Sequence, residues 1–216
     1  NYDNGNGYIN TPEELEWAKK TYQIGGTPRM GDFLYRDITN DGIVNERDIA
    51  PIKYGSIPRI AYGFSGNLKY KNVDLSFLFS GIAKASRYYD GHCVSEFGLV
   101  GFFSGFHLQA WTPERYAEGA DIKYPALGSV AGTSHNANDF FIMDRSFLRL
   151  KNLEVGYTFP TSWFSNVGIN SIRLYVNGNN LLTFSKFPLD WVDPEQSTQK
   201  AYPLTRMINF GANVIF

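Results

Sequence analysis

Five segments of this chain alternate apolar and polar side chains over a longer distance than a soluble strand needs. They lie at about 59–69, 73–83, 147–159, 171–184 and 205–216. Each segment predicts a β-strand of about 10–14 residues. The usual strand of a soluble sheet has about five or six residues, whereas a tilted strand needs about nine to eleven to cross a bilayer. The pattern therefore predicts an all-β fold and favours an antiparallel transmembrane wall.

The predicted strands have two contrasting faces. The apolar face of the first two strands comprises Ile60, Tyr62, Phe64, Leu68, Val73, Leu75, Phe77 and Phe79. The opposite face carries the small or polar side chains Gly63, Ser65, Asn67, Ser76 and Ser80. A lipid-facing barrel wall needs this contrast, because its other face lines a wet lumen. In the third strand, the same alternation places Arg149 and Lys151 on the face of Leu153, Val155 and Tyr157.

The connections between the predicted strands alternate in length. Residues 70–72 and 160–170 form short turns, whereas 1–58, 84–146 and 185–204 form longer segments. Outer-membrane barrels place their short turns in the periplasm and their long loops outside the cell. The alternation therefore predicts that 1–58 and 84–146 are extracellular and that the last residue lies at the periplasmic end.

The composition agrees with a β-rich membrane wall. Aromatic residues make up 16% of the chain and charged residues only 19%, a balance that favours strands and turns. Aromatic side chains near strand ends, as at Tyr70, Tyr157, Phe159 and Phe184, suit the girdles at membrane interfaces. The formal net charge of −1 gives no electrostatic case for a nucleic-acid partner.

One short helix is predicted in the extracellular region 1–58, at about 12–22. Thr11 is a favourable N-cap, Pro12 suits the first helical position, and Glu14 completes a capping box with Thr11. The Gly-rich segment that follows residue 23 ends the helix.

An acidic loop at 37–48, "DITNDGIVNERD", fits the spacing of a calcium-binding loop. The predicted ligands are Asp37, Thr39, Asp41, the carbonyl of Ile43, Asn45 and Asp48. Calcium takes six to eight oxygens from a tightly turned loop, and Gly42 permits the turn. Thr39 and Asp48 depart from the usual Asn or Asp and the usual long Glu. The alternative is a connector closed by hydrogen bonds from backbone to side chain.

Other polar residues give no catalytic prediction. His92, His107, His135 and Cys93 follow no metal-ligand spacing, so they are predicted to be surface residues of the long loop. Asp190, Asp193 and Glu195 could form a glycosidase carboxylate pair, but in an interstrand loop they are predicted to be solvated turn residues. No set of nucleophile, base and orienting residue and no phosphate loop was found, so the chain is predicted not to be an enzyme.

Four segments, taken in order, resemble a known family. "FLRLKNLEVGYTFP", "GINSIRLYVNGNNLLTFSKF", "DPEQ" and the last strand are similar to the C-terminal end of SusC/RagA-type TonB-dependent transporters, which are outer-membrane proteins of the Bacteroidetes. "RDITNDGIVNERDIAPI" and "YGFSGNLKYKNVDLSFLFSG" resemble two further motifs of this family. The similarity extends from about residue 31 to residue 216.

This resemblance implies a nutrient importer of the outer membrane. The five strands would be the C-terminal strands of a barrel of the 22-strand type, whose lumen is plugged. The implied partners are the remainder of the barrel and its plug, a SusD-like lipoprotein, TonB and outer-membrane lipid. The substrate would be an oligosaccharide or a peptide. The resemblance requires no cofactor, and calcium in the acidic loop is the one candidate.

The last strand, "INFGANVIF", matches the ending that outer-membrane barrels share. Asn209, Gly211, Val214 and Phe216 occupy the positions that resemble the signal read by the barrel-assembly machinery. Ile208, Phe210, Val214 and Phe216 are expected to face lipid. Residues 1–216 are therefore expected to be a segment of a longer protein that ends at Phe216.

A soluble fold is the alternative reading of the same alternation. A β-sandwich stiffened by calcium could bind glycans as a secreted module, since its strands also alternate between an apolar and a polar face. In a sandwich the apolar face is core, whereas in a barrel wall it meets lipid, so recovery in the outer-membrane fraction and heat-modifiable migration on a gel would separate the two hypotheses.

Overall fold

A computed structural model describes residues 4–89, 96, 103, 105–128, 132–164, 168–189, 192–196, 202 and 204–216. The chain divides into two compact units. The first, the loop unit, comprises Asn1–Lys53 and Tyr88–Ile142, and the second, the sheet unit, comprises Tyr54–Arg87 and Met143–Phe216.

The sheet unit is built on one five-stranded antiparallel sheet. The strands of the chain are β1 (Ile60–Tyr70), β2 (Val73–Ala83), β3 (Ser86–Tyr88), β4 (Ile142–Asp144), β5 (Phe147–Thr158), β6 (Ser171–Ser185) and β7 (Met207–Ile215). The large sheet has the order β1-β2-β5-β6-β7, and β3 pairs with β4 in a two-stranded ribbon. The five long strands begin and end within two residues of the predicted bounds. The sheet is not closed, because β1 and β7 each pair on one side only within the described residues.

The two faces of the sheet differ as the alternation predicts. Cα partners in adjacent strands lie on the same face, and the register joins Phe64 to Phe79, Val155 to Val176, and Val176 to Phe210. This face is apolar on all five strands and is exposed over most of its length; Phe64 is 52% and Phe210 80% exposed, whereas Leu150 is buried. No second sheet covers it among the described residues. The structure therefore does not support the β-sandwich alternative.

A β-bulge corrects the prediction for the third predicted strand, which is β5. The register shifts between Leu150 and Asn152, so Lys151 is an extra residue without a partner in either neighbouring strand. An inserted residue reverses the alternation on the two sides of the bulge. Arg149 therefore lies on the polar face, paired with Ser80 and Thr183, and not on the apolar face as predicted.

The loop unit begins with the predicted short helix, α1 (Pro12–Thr21). The capping box is present: Glu14 N donates to Thr11 Oγ1 at 3.3 Å, and Thr11 N donates to Glu14 Oε2 at 3.2 Å. A second helix, α2 (Pro113–Ala117), was not predicted; it is capped by Thr112 and lies in the region expected to be loop. Short 3-10 turns in this unit lie at Glu46–Asp48, Gly105–Gln109 and Thr133–His135.

Aromatic side chains form the interior of the loop unit. Phe33 contacts the rings of Tyr8, Phe140 and Phe141. Tyr124 is fully buried and packs on Phe140. Rings of this size bury much apolar surface per residue, so the described parts of the long connections in this unit are packed segments rather than open loops.

None of the helices in the described part of the chain has the length and apolar character needed to cross a membrane.

Candidate functional site

The apolar face of the sheet is covered by interlocking aromatic rings. Phe64 and Phe79 stack with ring centroids 4.7 Å apart. The ring of Phe77 lies over Gly66, where a Cβ would come within 2.6 Å of it. Tyr62 crosses Gly81 in the same way and donates its hydroxyl to the carbonyl of Phe147 at 3.0 Å. This part of the face therefore presents aromatic ring surface. The hydroxyl of Tyr62 is hydrogen-bonded within the sheet and needs no partner from the surroundings.

The polar face carries an ion-pair cluster near the short turns. Arg173 on β6 donates from Nε to Asp74 Oδ1 on β2 at 3.0 Å, and from Nη2 to the second oxygen of Asp74. The same Nη2 donates to Glu154 on β5 at 2.7 Å. Its guanidinium lies over Gly156, which has no side chain to block the path between β6 and β2. Three strands are thus joined by one side chain.

The middle of the polar face is lined by amides and a tyrosine. Asn209 Nδ2 donates to Asn177 Oδ1 at 2.9 Å across β6 and β7. The ring of Tyr175 lies over Gly211 and beneath the guanidinium of Arg173, whose Cζ is 5.0 Å from the ring centroid. These groups suit contact with water or with another polar surface.

A second ion-pair cluster lies at the opposite end of the polar face. Arg149 is only 1% exposed, and its Nη2 donates to both oxygens of Asp193 at 2.7 and 2.8 Å. Its Nη1 donates to Glu195 at 2.8 Å, and its Nε to Thr183 Oγ1 at 2.9 Å. Asp193 and Glu195 were predicted to be solvated turn residues. The prediction was wrong for Asp193, whose side chain is only 12% exposed, whereas Glu195 lies in a turn and keeps 32% of its side chain exposed while it binds Arg149. Asp190 lies outside the described residues.

The acidic loop is closed by hydrogen bonds to its own carboxylates. Asp37 Oδ2 accepts from Gly42 N at 2.9 Å, and Asp41 Oδ1 accepts from Ile43 N at 2.9 Å. Asp48 Oδ1 accepts from the amides of Ile38 and Thr39, and Asp48 Oδ2 accepts from Asn45 N at 2.9 Å. The backbone donors of Thr39 and Asn45 lower the pKa of Asp48 below its usual value.

Only part of the predicted calcium ligand set comes together. Thr39 Oγ1 lies 3.3 Å from Asp37 Oδ1 and 3.1 Å from Asp48 Oδ1. Asn45 Oδ1 instead accepts from the amide of Arg47 at 2.8 Å. Within the described residues, no group of three or more His, Cys, Asp or Glu side chains is arranged to hold a metal ion. Three oxygens are fewer than calcium requires, so calcium binding stays a prediction.

Two histidines of the long connection have structural partners. His107 is buried and meets the ring of Tyr124 edge-on, with centroids 4.6 Å apart. His135 Nε2 lies 3.2 Å from Glu96 Oε1, and Tyr124 donates to Glu96 Oε2 at 2.6 Å. Burial would raise the pKa of Glu96, but hydrogen bonds from His135 and Tyr124 outweigh it and the pKa is lowered.

The prediction of surface histidines was therefore wrong for His107, which is buried, whereas His135 is partly exposed and hydrogen-bonded to Glu96. His92 and Cys93 lie outside the described residues.

Comparison with known proteins shows which proteins this chain is similar to. No family model matches the chain. TonB-dependent receptor P26 of Formosa agariphila is 32% identical over 203 residues, which cover 87% of this chain and 20% of that protein. TonB-dependent receptor SusC of Bacteroides thetaiotaomicron is 28% identical over 195 residues, which cover 89% of this chain and 18% of that protein. The chain is homologous to SusC/RagA-type TonB-dependent receptors.

Solved structures support the same relationship. The RagAB peptide importer in its open-open state matches 84% of this chain and 20% of its own chain, with a TM-score of 0.63 at 24% identity. The closed-closed state matches 68% of this chain and 17% of its own, with a TM-score of 0.52 at 27% identity. The open antiparallel sheet thus has the fold of the SusC/RagA-type barrel. The chain spans about a fifth of the length of the curated relatives it matches. The relatives are named as receptors and importers rather than as enzymes.

The predicted assembly signal is divided between the two faces of β7. Asn209 and Gly211 lie on the polar face, opposite Asn177 and Tyr175. Val214 lies on the apolar face, opposite Ile172. Phe216 follows the last residue of β7 and is 81% exposed. The role of these residues in barrel assembly stays a prediction.

The sequence did not predict the two ion-pair clusters of the polar face. Arg149 and Arg173 bind carboxylates 44 and 99 residues away, respectively. The sequence carries one signal for Arg173: it is a charged residue inside a strand, and its neighbours on the same face are small or polar. A charged residue in such a position is usually paired when it is buried. For Arg149 the bulge hid even this signal.

Proposed function

We propose that this chain forms part of the barrel wall of an outer-membrane nutrient importer. The observation that supports the proposal is the sheet itself, with a continuous exposed apolar face on one side and a polar face with internal ion pairs on the other. A water-soluble sheet would leave this apolar face in contact with water at a large cost. A lipid environment removes that cost, and a barrel lumen suits the polar face.

The orientation in the membrane follows from the connections. The hairpin between β1 and β2 turns through Lys71 and Asn72 only, and Lys71 has a positive φ of 52°. Tyr157, Phe159 and Trp163 form an aromatic group beside the other short connection. Short turns with adjoining aromatic girdles are typical of the periplasmic side. The long connections 1–58 and 84–146 then begin or end on the extracellular side.

The substrate and partners of the whole protein are proposed from its relatives. One solved relative is a peptide importer, and we infer that the substrate is a peptide or an oligosaccharide. A SusD-like lipoprotein would bind on the extracellular side. The rest of the barrel, the plug and the segment that contacts TonB would come from parts of the protein outside these 216 residues. Energy for uptake would be transmitted through TonB.

Membrane fractionation of the full-length protein tests the proposal. We expect recovery in the outer-membrane fraction and a gel mobility that changes on heating, because closed barrels resist unfolding by detergent at room temperature. A protein recovered in the soluble fraction, with the same mobility before and after heating, would refute a role in the barrel wall.

A further inference from the structure

A described part of the connection between β6 and β7 packs on the sheet. Residues 192–196, here called the strap, contact the polar face at the end that carries Arg149 and Thr183. Val192 and Pro194 are buried, as is Leu189 just before the strap. The strap thus lies on the polar side of the sheet.

Four cationic side chains hold the strap. Arg149 and Lys151 bind its carboxylates, with Lys151 Nζ 2.6 Å from Glu195 Oε1. Two more donate to its backbone carbonyls: Arg145 Nη2 to Glu195 O at 3.3 Å, and Arg87 Nη1 to Gln196 O at 3.4 Å. All of these contacts lie within the sheet unit.

The strap is also internally ordered. The amide of Glu195 donates to Asp193 Oδ1 at 2.8 Å, and the amide of Gln196 donates to the carbonyl of Asp193 at 3.1 Å. Asp193 therefore closes the turn and accepts the Arg149 guanidinium at the same time. Because Arg149 is almost fully buried, releasing the strap would leave a desolvated cation without its anions, which is unfavourable.

We propose that the strap is a constriction on the transport route and that Arg149 is its positioning residue. The proposal rests on the function proposed above, in which the polar face of the sheet lines the lumen. An element that covers this face at its extracellular end narrows the passage beside the wall. The carboxylates of Asp193 and Glu195 are neutralised by Arg149 and Lys151. The strap therefore selects substrates by size more than by charge.

Thiol labelling in intact cells tests where the strap lies. The full-length protein would carry Val192→Cys in a background where Cys93 and any other cysteine are replaced. A 5 kDa polyethylene glycol maleimide is added from outside. We expect labelling about tenfold or more slower than at a Leu108→Cys control, since Leu108 is 79% exposed in the loop unit and a buried thiol reacts only after local opening. Equal labelling rates would show that the strap projects outwards and would overturn the proposal.

Releasing the strap tests what it does. Arg149→Ala and the pair Asp193→Asn with Glu195→Gln remove opposite sides of the same contact, so one variant remains if the other fails to assemble. Arg149→Lys retains the charge but loses the bidentate contact with Asp193, so we expect behaviour between that of the parent and that of Arg149→Ala. Arg173→Ala is the matched control, because it removes an arginine with two carboxylate partners on the same face without touching the strap.

Uptake is measured with two ladders of fluorescent probes, peptides and oligosaccharides of graded length. The release variants are Arg149→Ala and the double variant Asp193→Asn with Glu195→Gln. Where they reach the outer membrane, we expect them to take up longer probes than the parent. The longest probe that Arg173→Ala takes up should be the same as for the parent. If Val192→Cys becomes labelled in a release variant, which shows that the strap has been released, and the size limit for uptake is still that of the parent, the constriction is refuted. Failure of the parent protein to take up any probe would count against the proposed importer, whereas the labelling result would still decide where the strap lies.

Discussion

Arg173 reaches Asp74 across an intervening strand because Gly156 lies beneath its guanidinium. Asp74 and Gly156 are Cα partners in the β2–β5 pair, and Gly156 is the partner of Tyr175 in the β5–β6 pair. A Cβ on Gly156 would come within 2.4 Å of Arg173 Nη2. One missing side chain therefore allows a cation on β6 to bind carboxylates on β2 and β5.

Gly156→Val should break this cluster. The added side chain displaces Arg173, so Asp74 and Glu154 lose a shared donor, and we expect a loss of about 1–3 kcal/mol in the free energy of unfolding. The temperature at which the full-length protein changes its gel mobility measures the effect. Gly55→Val is the control, because a Cβ there meets no atom within 4 Å. Equal midpoints for the two variants would contradict the expectation.

Charge on the apolar face should prevent assembly, whereas the same charge on the polar face should be tolerated. Val176 and Asn177 are neighbours in β6 but lie on opposite faces. Val176→Arg places a cation against lipid, at a cost of about 2–4 kcal/mol near the bilayer midplane, and Asn177→Arg places it in the lumen. Quantifying each variant in the outer-membrane fraction distinguishes them. If Asn177→Arg were the more depleted, the assignment of the two faces would be reversed.

Phe216→Asp should block assembly of the full-length protein. If the assembly machinery reads the aromatic ring of Phe216, a charged side chain there removes the signal, while Phe216→Tyr keeps an aromatic ring. The measurement is the outer-membrane level of each variant, and a strong reduction is expected for Asp alone. Normal levels of Phe216→Asp would refute the role predicted for this residue.

Calcium in the acidic loop is tested by metal analysis of the purified full-length protein. Asp41→Ala removes one predicted ligand and should lower the bound calcium. The substitution leaves the amide donors to Asp37 and Asp48 in place. Equal calcium content in the parent and the variant would eliminate the hypothesis and leave the loop as a hydrogen-bonded connector.

Acidification should open the same loop. The pKa of Asp48 is lower in the folded protein than in the unfolded chain. Its contribution to stability is therefore present above the unfolded pKa of about 4 and lost as the pH falls through the lower folded value. Hydrogen exchange of the peptide containing Ile38 and Thr39 should speed up across that range beyond its intrinsic pH dependence. Asp48→Asn cannot titrate and should show no such transition.

The sequence alone determined the strands and their chemistry. Alternation with period two is a local property, and it marked the five long strands and the apolar face from Ile60 to Val214. The helix α1 was equally local, because Thr11 and Glu14 satisfy each other across three residues. The resemblance of several ordered motifs then indicated the family, which the relatives confirm.

Tertiary structure alone decided which side chains meet. A bulge is defined by the pairing of strands, so strict alternation placed Arg149 and Lys151 on the apolar face, and only the register shows that Arg149 lies on the polar face. The bonds from Arg149 to Asp193 and from Arg173 to Asp74 join residues far apart in the chain, and no spacing rule connects them. Periodicity records which face a side chain occupies within one strand, whereas register and chain reversal bring partners on that face together.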